Sequence, residues 1–211
     1  MSTLEKIAFY QDIRNEIPNQ QLAKDLAANE DVLGIQELVE NLDNNNKNVR
    51  SDCLKVLYEI GYLKPFLIQN HAQAFLKLLN CKENRMIWGA FIALATIAQL
   101  RPEEIWIEID KLVAEFEHGS VITVVWGTKL FASLAATRED YAVRLFPILL
   151  ETLETCIPRD LPTHAENMLP AITKDNQTVV LSIIRSRETE LSPAQLSRCK
   201  KAKKNIQAIT R

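Results

Sequence analysis

Three side chains that can both stack and hydrogen-bond recur at one spacing. Trp88-Gly89 returns as Trp126-Gly127, 38 positions on, and a further 38 brings His164-Ala165. Each carries a ring nitrogen on a largely apolar body, so a row of them can grip a ligand or stitch stacked helices together. Regular spacing suits packing at least as well as recognition, and packing is the expected role. The other candidates for chemistry stand apart. His71, His118 and His164 have no H-x-x-x-H or cysteine partner, so no metal site is spelled out. Cys53, Cys81, Cys156 and Cys199 form no C-x-x-C pair and read as small, idle thiols of a reducing, cytoplasmic compartment. Neither G-x-S-x-G nor the phosphate-cradling G-x-x-x-x-G-K-[ST] occurs. No catalytic residue, metal or cofactor is assigned, and the chain is expected to be non-enzymatic.

The elements that must hold these residues are helical. Apolar residues recur at spacings of three and four. Ser2 or Thr3 can cap a first helix to about Arg14, with Ile7, Tyr10 and Ile13 on one face. Pro18 opens a second, and a third starts after Asp31 and stops at the polar run Asp43 to Asn48. Further helices are expected at 49–61, 64–79, 85–99, 102–116, 121–135, 139–155, 163–172 and 176–187, with a last one from Pro193 capped by Ser192. Gly119 suits a left-handed helix stop, and Ser120 can cap the next helix. Only five glycines and no Asn-Gly or Asp-Gly turn argue against a β fold. The longest charge-free run, Met86 to Leu100, is too short to span a bilayer, which takes about 20 residues. The segment Met1 to Arg14 lacks the apolar core of a signal peptide.

Helices 85–99 and 121–135 are apolar almost all round and must be buried all round. Wrapping by neighbouring helices is the first expectation, and a homodimer the second. Net charge is -2 but divided, because residues 174–211 carry nine basic and three acidic side chains. That stretch is therefore +6 and residues 1–173 sum to -8.

A period near 38 residues holding two helices is that of a stack of helical hairpins. One stretch carries a family resemblance. It runs Gly34-Ile35-Gln36-Glu37-Leu38-Val39-Glu40-Asn41-Leu42, through Asp43 to Asn48, into Val49-Arg50-Ser51-Asp52-Cys53-Leu54-Lys55-Val56-Leu57-Tyr58-Glu59-Ile60-Gly61. It resembles a HEAT-repeat junction, in which a second helix leads through a short loop to Val-Arg, a small residue, a leucine and a closing glycine. Val49, Arg50, Cys53, Leu57 and Gly61 stand at those places. The likeness is close over 34–61 and extends to about 157. Ile87 and Val125 replace the arginine of position 50 in later repeats, so no continuous ladder of that residue runs along the array. The three-helix armadillo variant is the alternative. The resemblance implies an all-α, right-handed α-α superhelix, a HEAT/ARM-like solenoid of about five helical hairpins. It also implies one domain over 1–211, with N-terminal helices in 1–47, regular repeats in 48–157, and an irregular repeat with a basic capping helix in 158–211.

The same resemblance implies a protein- or peptide-binding scaffold whose second helices line the concave face. Gln73, Glu108, Lys111 and Arg144 are then the binding candidates, beside Trp88, Trp126 and His164. Each polar candidate reads equally well as part of a solvated helix face. The cluster from Arg198 to Lys204 suits an exposed face of a terminal helix, with nucleic acid as the less expected partner. Trp106 and Asp110, one turn apart, resemble the tryptophan–aspartate pair of HEAT-like alkylpurine DNA glycosylases. The acidic body opposes duplex binding.

Overall fold

The computed structural model describes residues 2–210, and among them there is helix and no strand. The α-helices are α1 (Ile17–Asn29), α2 (Val32–Glu40), α3 (Lys47–Leu63), α4 (Ala72–Lys77), α5 (Asn84–Ile97) and α6 (Pro102–Trp106). They continue as α7 (Ile109–Glu117), α8 (Val121–Ala135), α9 (Glu139–Thr155), α10 (Leu161–Asn167), α11 (Gln177–Ser186) and α12 (Pro193–Gln207). Among the described residues no helix is long and apolar enough to cross a membrane. The chain divides into two compact units, Met1–Val124 and Val125–Arg211.

In the first unit α3 packs between α1 and α5. Its caps follow local chemistry: the Asp31 carboxylate accepts the Gly34 N–H at 2.9 Å to start α2, and Asn46 Oδ1 accepts the Asn48 N–H at 2.9 Å to start α3. Val49, Cys53, Val56, Leu57 and Ile60 of α3 are closed to solvent. Burial pushes the Cys53 thiol up to about 12, so it is an inert core residue. On α5, residues 90 to 95 are all buried, Phe91 and Leu94 completely. The apolar helix is thus wrapped by its own neighbours, α3 and α4 among them.

Two glycines set the distance between α3 and α5. A methyl on Gly61 would collide with Thr96 Oγ1 and stand 3.0 Å from Thr96 Cβ, while one on Gly89 would meet Leu54 Cδ2 at 2.5 Å. Leu54 is itself buried, so neither helix can yield cheaply.

Several expected boundaries move. The expected first helix is reduced to a short 3-10 turn, Leu4–Lys6, without a side-chain cap. Ser2 instead donates to the Glu37 carboxylate, and the Thr3 N–H donates to Glu37 Oε2 at 2.8 Å. The Ala8 and Phe9 N–H groups donate to Asn19 Oδ1 at 2.9 Å and Asp52 Oδ2 at 2.8 Å, which removes them from any helical ladder. The expected helix 64–79 is broken into short 3-10 turns around α4. The expected helix 102–116 splits into α6 and α7, where the Glu108 N–H bonds back to Ile105 O at 3.2 Å. Gly119 is not left-handed, since no described glycine has positive φ. Its smallness matters because a Cβ there would lie 2.5 Å from the Glu115 carbonyl. Ser120 does act as a cap, accepting the Thr123 N–H at 3.3 Å.

In the second unit α12 packs on α10 and α11 and buries Cys199, Ala202 and Ile206. It opens on a reciprocal capping box between Ser192 and Gln195. One polar pair lies in this core. His164 is 2% exposed, and its Nδ1 lies 2.9 Å from Thr128 Oγ1 in a hydrogen bond whose donor depends on the ring tautomer.

Two expectations test this packing. Gly61→Ala should lower the unfolding free energy by about 1–2 kcal/mol, because the overpacking cost exceeds the roughly 1 kcal/mol gained in helix propensity. In a Thr96→Ala background that loss should shrink, as measured by urea titration of the double-mutant cycle. The second concerns pH. Burial holds the His164 pKa below its ordinary 6.5, against a smaller upward pull from Asp160. The unfolded chain therefore binds the proton first, and stability present above about 6.5 is lost as pH falls through that value. Denaturant midpoints from about pH 7.5 to 5.5 should fall more steeply for the wild type than for His164→Gln. His71, also lowered by burial, leaves a residual slope in both. Parallel profiles would remove His164 from the account.

Candidate functional site

Around Trp88 the first unit assembles aromatic rings and charges in a row. Trp88, in the second turn of α5, is half-buried. Its ring lies 6.3 Å from Tyr58 of α3, and the Arg85 guanidinium stands 5.8 Å from the indole. Tyr58 in turn lies 5.8 Å from Tyr62, with Lys55 Nζ 4.9 Å over its face. The Lys55 side chain is 8% exposed and is gripped by Glu59 at 2.7 Å and Glu16 at 2.9 Å. Burial pulls its pKa down, but these two carboxylates more than offset that pull, so the ammonium is held charged well above its ordinary range. Trp88 therefore joins α5 to α3.

Trp126 of α8 is also half-buried, with Lys129 Nζ 4.9 Å over its ring. His164 is enclosed against Thr128, so its ring has no surface to offer a ligand. The three residues of the 38-residue spacing all lie early in their helices but differ in environment.

The polar candidates lie on other helices. Gln73 is exposed on α4. Glu108 and Lys111, both half-buried, stand at the start of α7, and Lys111 donates to Asn80 Oδ1, which ties α7 to the segment after α4. Around them α6 and α7 carry Glu103, Glu104, Asp110, Glu115 and Glu117, with Lys111 the sole lysine or arginine between Pro102 and Glu117. Ile107, at the break between the two helices, is 75% exposed amid this charge. Arg144 is exposed on α9 in the other unit. Trp106 is half-buried at the end of α6 and Asp110 exposed on α7, so the helix break falls between them.

On α12, Arg198 is paired with Glu166 at 2.6 Å and Lys203 with Glu188, while Lys200, Lys201 and Lys204 are exposed. Among the described residues no group of three histidine, cysteine or acidic side chains is placed to hold a metal ion.

The irregular segment 8–16 lies over the first turns of α3 and α5 and leaves a cleft of about 470 Å³. Its lining includes Phe9, Asp12, Arg14, Asn48, Ser51 and Asp52. The only signal for it in the sequence is the alternation of charge and apolar residues from Phe9 to Glu16, which reads equally well as an amphipathic helix.

No family model matches this chain, and no curated protein matches it. Solved structures do. An engineered protein matches with a TM-score of 0.63 at 17% identity, over 99% of this chain and 98% of its own. A designed armadillo repeat protein in complex with the peptide (KR)4 matches with a TM-score of 0.62 at 15% identity, over 92% and 95%. Computationally designed armadillo repeat proteins for modular peptide recognition match with a TM-score of 0.59 at 16% identity, over 96% and 98%. At such identities the likeness is one of fold, and the fold is the all-α helical repeat of armadillo/HEAT-like proteins.

Proposed function

We propose that this chain is a protein-interaction module that binds a basic, extended segment of a partner protein across α6 and α7. The observation that carries the reading is Ile107, 75% exposed at the break between two helices whose stretch 102–117 carries six acidic side chains against one lysine. An apolar anchor amid one sign of charge suits a cationic peptide, whose aliphatic stems cover the isoleucine while its charged ends meet Glu104 and Glu108. Gln73 on α4, which packs on α6, and Lys111 on α7 supply hydrogen-bonding groups. Helical repeat proteins of this fold have been designed for modular peptide recognition, and one holds (KR)4, which supports a peptide ligand in general and a basic one in particular. A cytoplasmic scaffold role suits the four free thiols. The exposed Lys200, Lys201 and Lys204 favour one second reading, a contact of α12 with a nucleic-acid backbone.

Fluorescence anisotropy with a labelled peptide of alternating lysine and arginine tests the first reading, with a glutamate-rich peptide as control. Glu104→Lys/Glu108→Lys should weaken binding at least about tenfold and Ile107→Ser several-fold, with folding checked by circular dichroism. Equal affinity for the two peptides, or wild-type affinity in both variants, ends it. Replacing Lys200, Lys201 and Lys204 by Gln should leave peptide binding unchanged. The same replacement should abolish any salt-sensitive binding to a DNA duplex, and its persistence would refute the α12 reading.

A further inference from the structure

The cleft over α3 differs from the acidic face of α6 and α7 in both charge and shape. Its outer wall, residues 8–16, is fixed at both ends. At one end the Ala8 and Phe9 N–H groups are held by Asn19 and Asp52. At the other, Glu16 is held by Lys55 at 2.9 Å and Arg85 at 3.3 Å. Between these anchors the wall turns through Asp12, whose φ of 52° is left-handed, and the turn is closed by the Ile13 N–H donating to Ala8 O at 3.0 Å. Aspartate is one of the few side chains that tolerates this conformation, at a cost of about 1 kcal/mol. The turn aligns the wall without needing a ligand to order it, so little binding energy is lost to ordering.

The charges of the lining fall into two sets. Glu16 is committed to both Arg85 and Lys55, and Arg85 to Glu16. Asp12 and Arg14 form no ion pair among the described residues, and both are exposed at the rim. Asp52 spends one carboxylate oxygen on the Phe9 N–H and keeps the other. Ser51 and Asn48 of α3 complete the lining. Phe9, 36% exposed, supplies an apolar wall. A purely anionic ligand would be opposed by Asp12 and Asp52, and a purely cationic one by Arg14. A ligand carrying both charges a few bonds apart satisfies all three. The volume suits a small organic molecule, for which sites run from about 300 to 1,000 Å³.

We infer that this cleft binds a small zwitterion of the amino-acid or dipeptide class, its ammonium group met by Asp12 and Asp52 and its carboxylate by Arg14. The apolar side chain of the ligand lies on Phe9. This site does not depend on the α6–α7 reading and can stand or fall without it.

Isothermal titration calorimetry on the full chain tests the inference with alanyl-phenylalanine, its N-acetyl and C-amide derivatives, and free phenylalanine. The dipeptide or the free amino acid should bind saturably, and which of the two binds more tightly separates the sources of the shared chemistry. Each blocked derivative should lose about tenfold or more in affinity. Arg14→Gln should abolish the difference between acid and amide, and Asp12→Asn the difference between free and acetylated amine. Both variants keep the fold, since neither side chain is paired and asparagine also accepts the left-handed turn. The inference is overturned by no saturable binding up to about 10 mM, by blocked derivatives that bind like their parents, or by an Arg14→Gln protein that still separates acid from amide.

Discussion

Helices α3 and α5 approach closely because Gly61 on one and Gly89 on the other leave out the methyl group that would hold them apart. That closeness lets α5, buried from Ala90 to Ala95, pack on the helix that carries the buried Leu54, Leu57 and Ile60. Each fully buried leucine, isoleucine or phenylalanine contributes about 1.5–3 kcal/mol relative to exposure, and only if its neighbours fill the space around it. The same approach brings Tyr58 against Trp88 and places Arg85 where it can reach Glu16. Glu16 then holds Lys55 from outside while Glu59 holds it from the next turn of its own helix. The aromatic row and the Arg85 wall of the cleft follow from one interhelical distance in this unit.

Side chains that pattern alone would call functional are therefore spent on packing. Lys55 is nearly buried, and its charge is kept only because two carboxylates bracket it. An isolated ammonium at that depth would lose its proton or unfold its surroundings. Trp88 packs its ring near both Tyr58 and the Arg85 guanidinium. His164 makes the analogous point in the second unit, where its nitrogen is enclosed against a threonine hydroxyl. Of the three residues at the 38-residue spacing, Trp88 and His164 make contacts between helices of their own units, while Trp126 lies beneath Lys129 of its own helix.

Much of the fold was legible because the longer helices announce themselves. Helices α8 and α9 occupy Val121–Ala135 and Glu139–Thr155, the spans that periodicity and flanking polar residues indicate, and α12 begins at the serine cap expected of it. The all-helical class and the hairpin repeat are legible for the same reason. The N-terminal segment was not. Ile7, Tyr10 and Ile13 satisfy a helical pattern, yet the chain there folds irregularly because Asn19 and Asp52, 11 and 43 residues from their partners, capture its amide groups. Propensity reads neighbours along the chain and cannot weigh a carboxylate so far away. The break at Ile107 escaped for a related reason, since nothing between Pro102 and Phe116 disfavours a continuous helix.

The same asymmetry explains why binding surfaces were harder to read than the core. A core position is fixed by type and period, both of which are local in sequence. Asp12, Arg14 and Asp52 come from an irregular turn and from α3. Read singly, each is an ordinary polar residue. Their chemistry appears when the wall from Ala8 to Glu16 is pinned over α3 and the committed charges are separated from the uncommitted ones. A rigid helical stack is a good foundation for such a wall, because it holds the anchoring groups in place while the irregular segment is left to carry specificity.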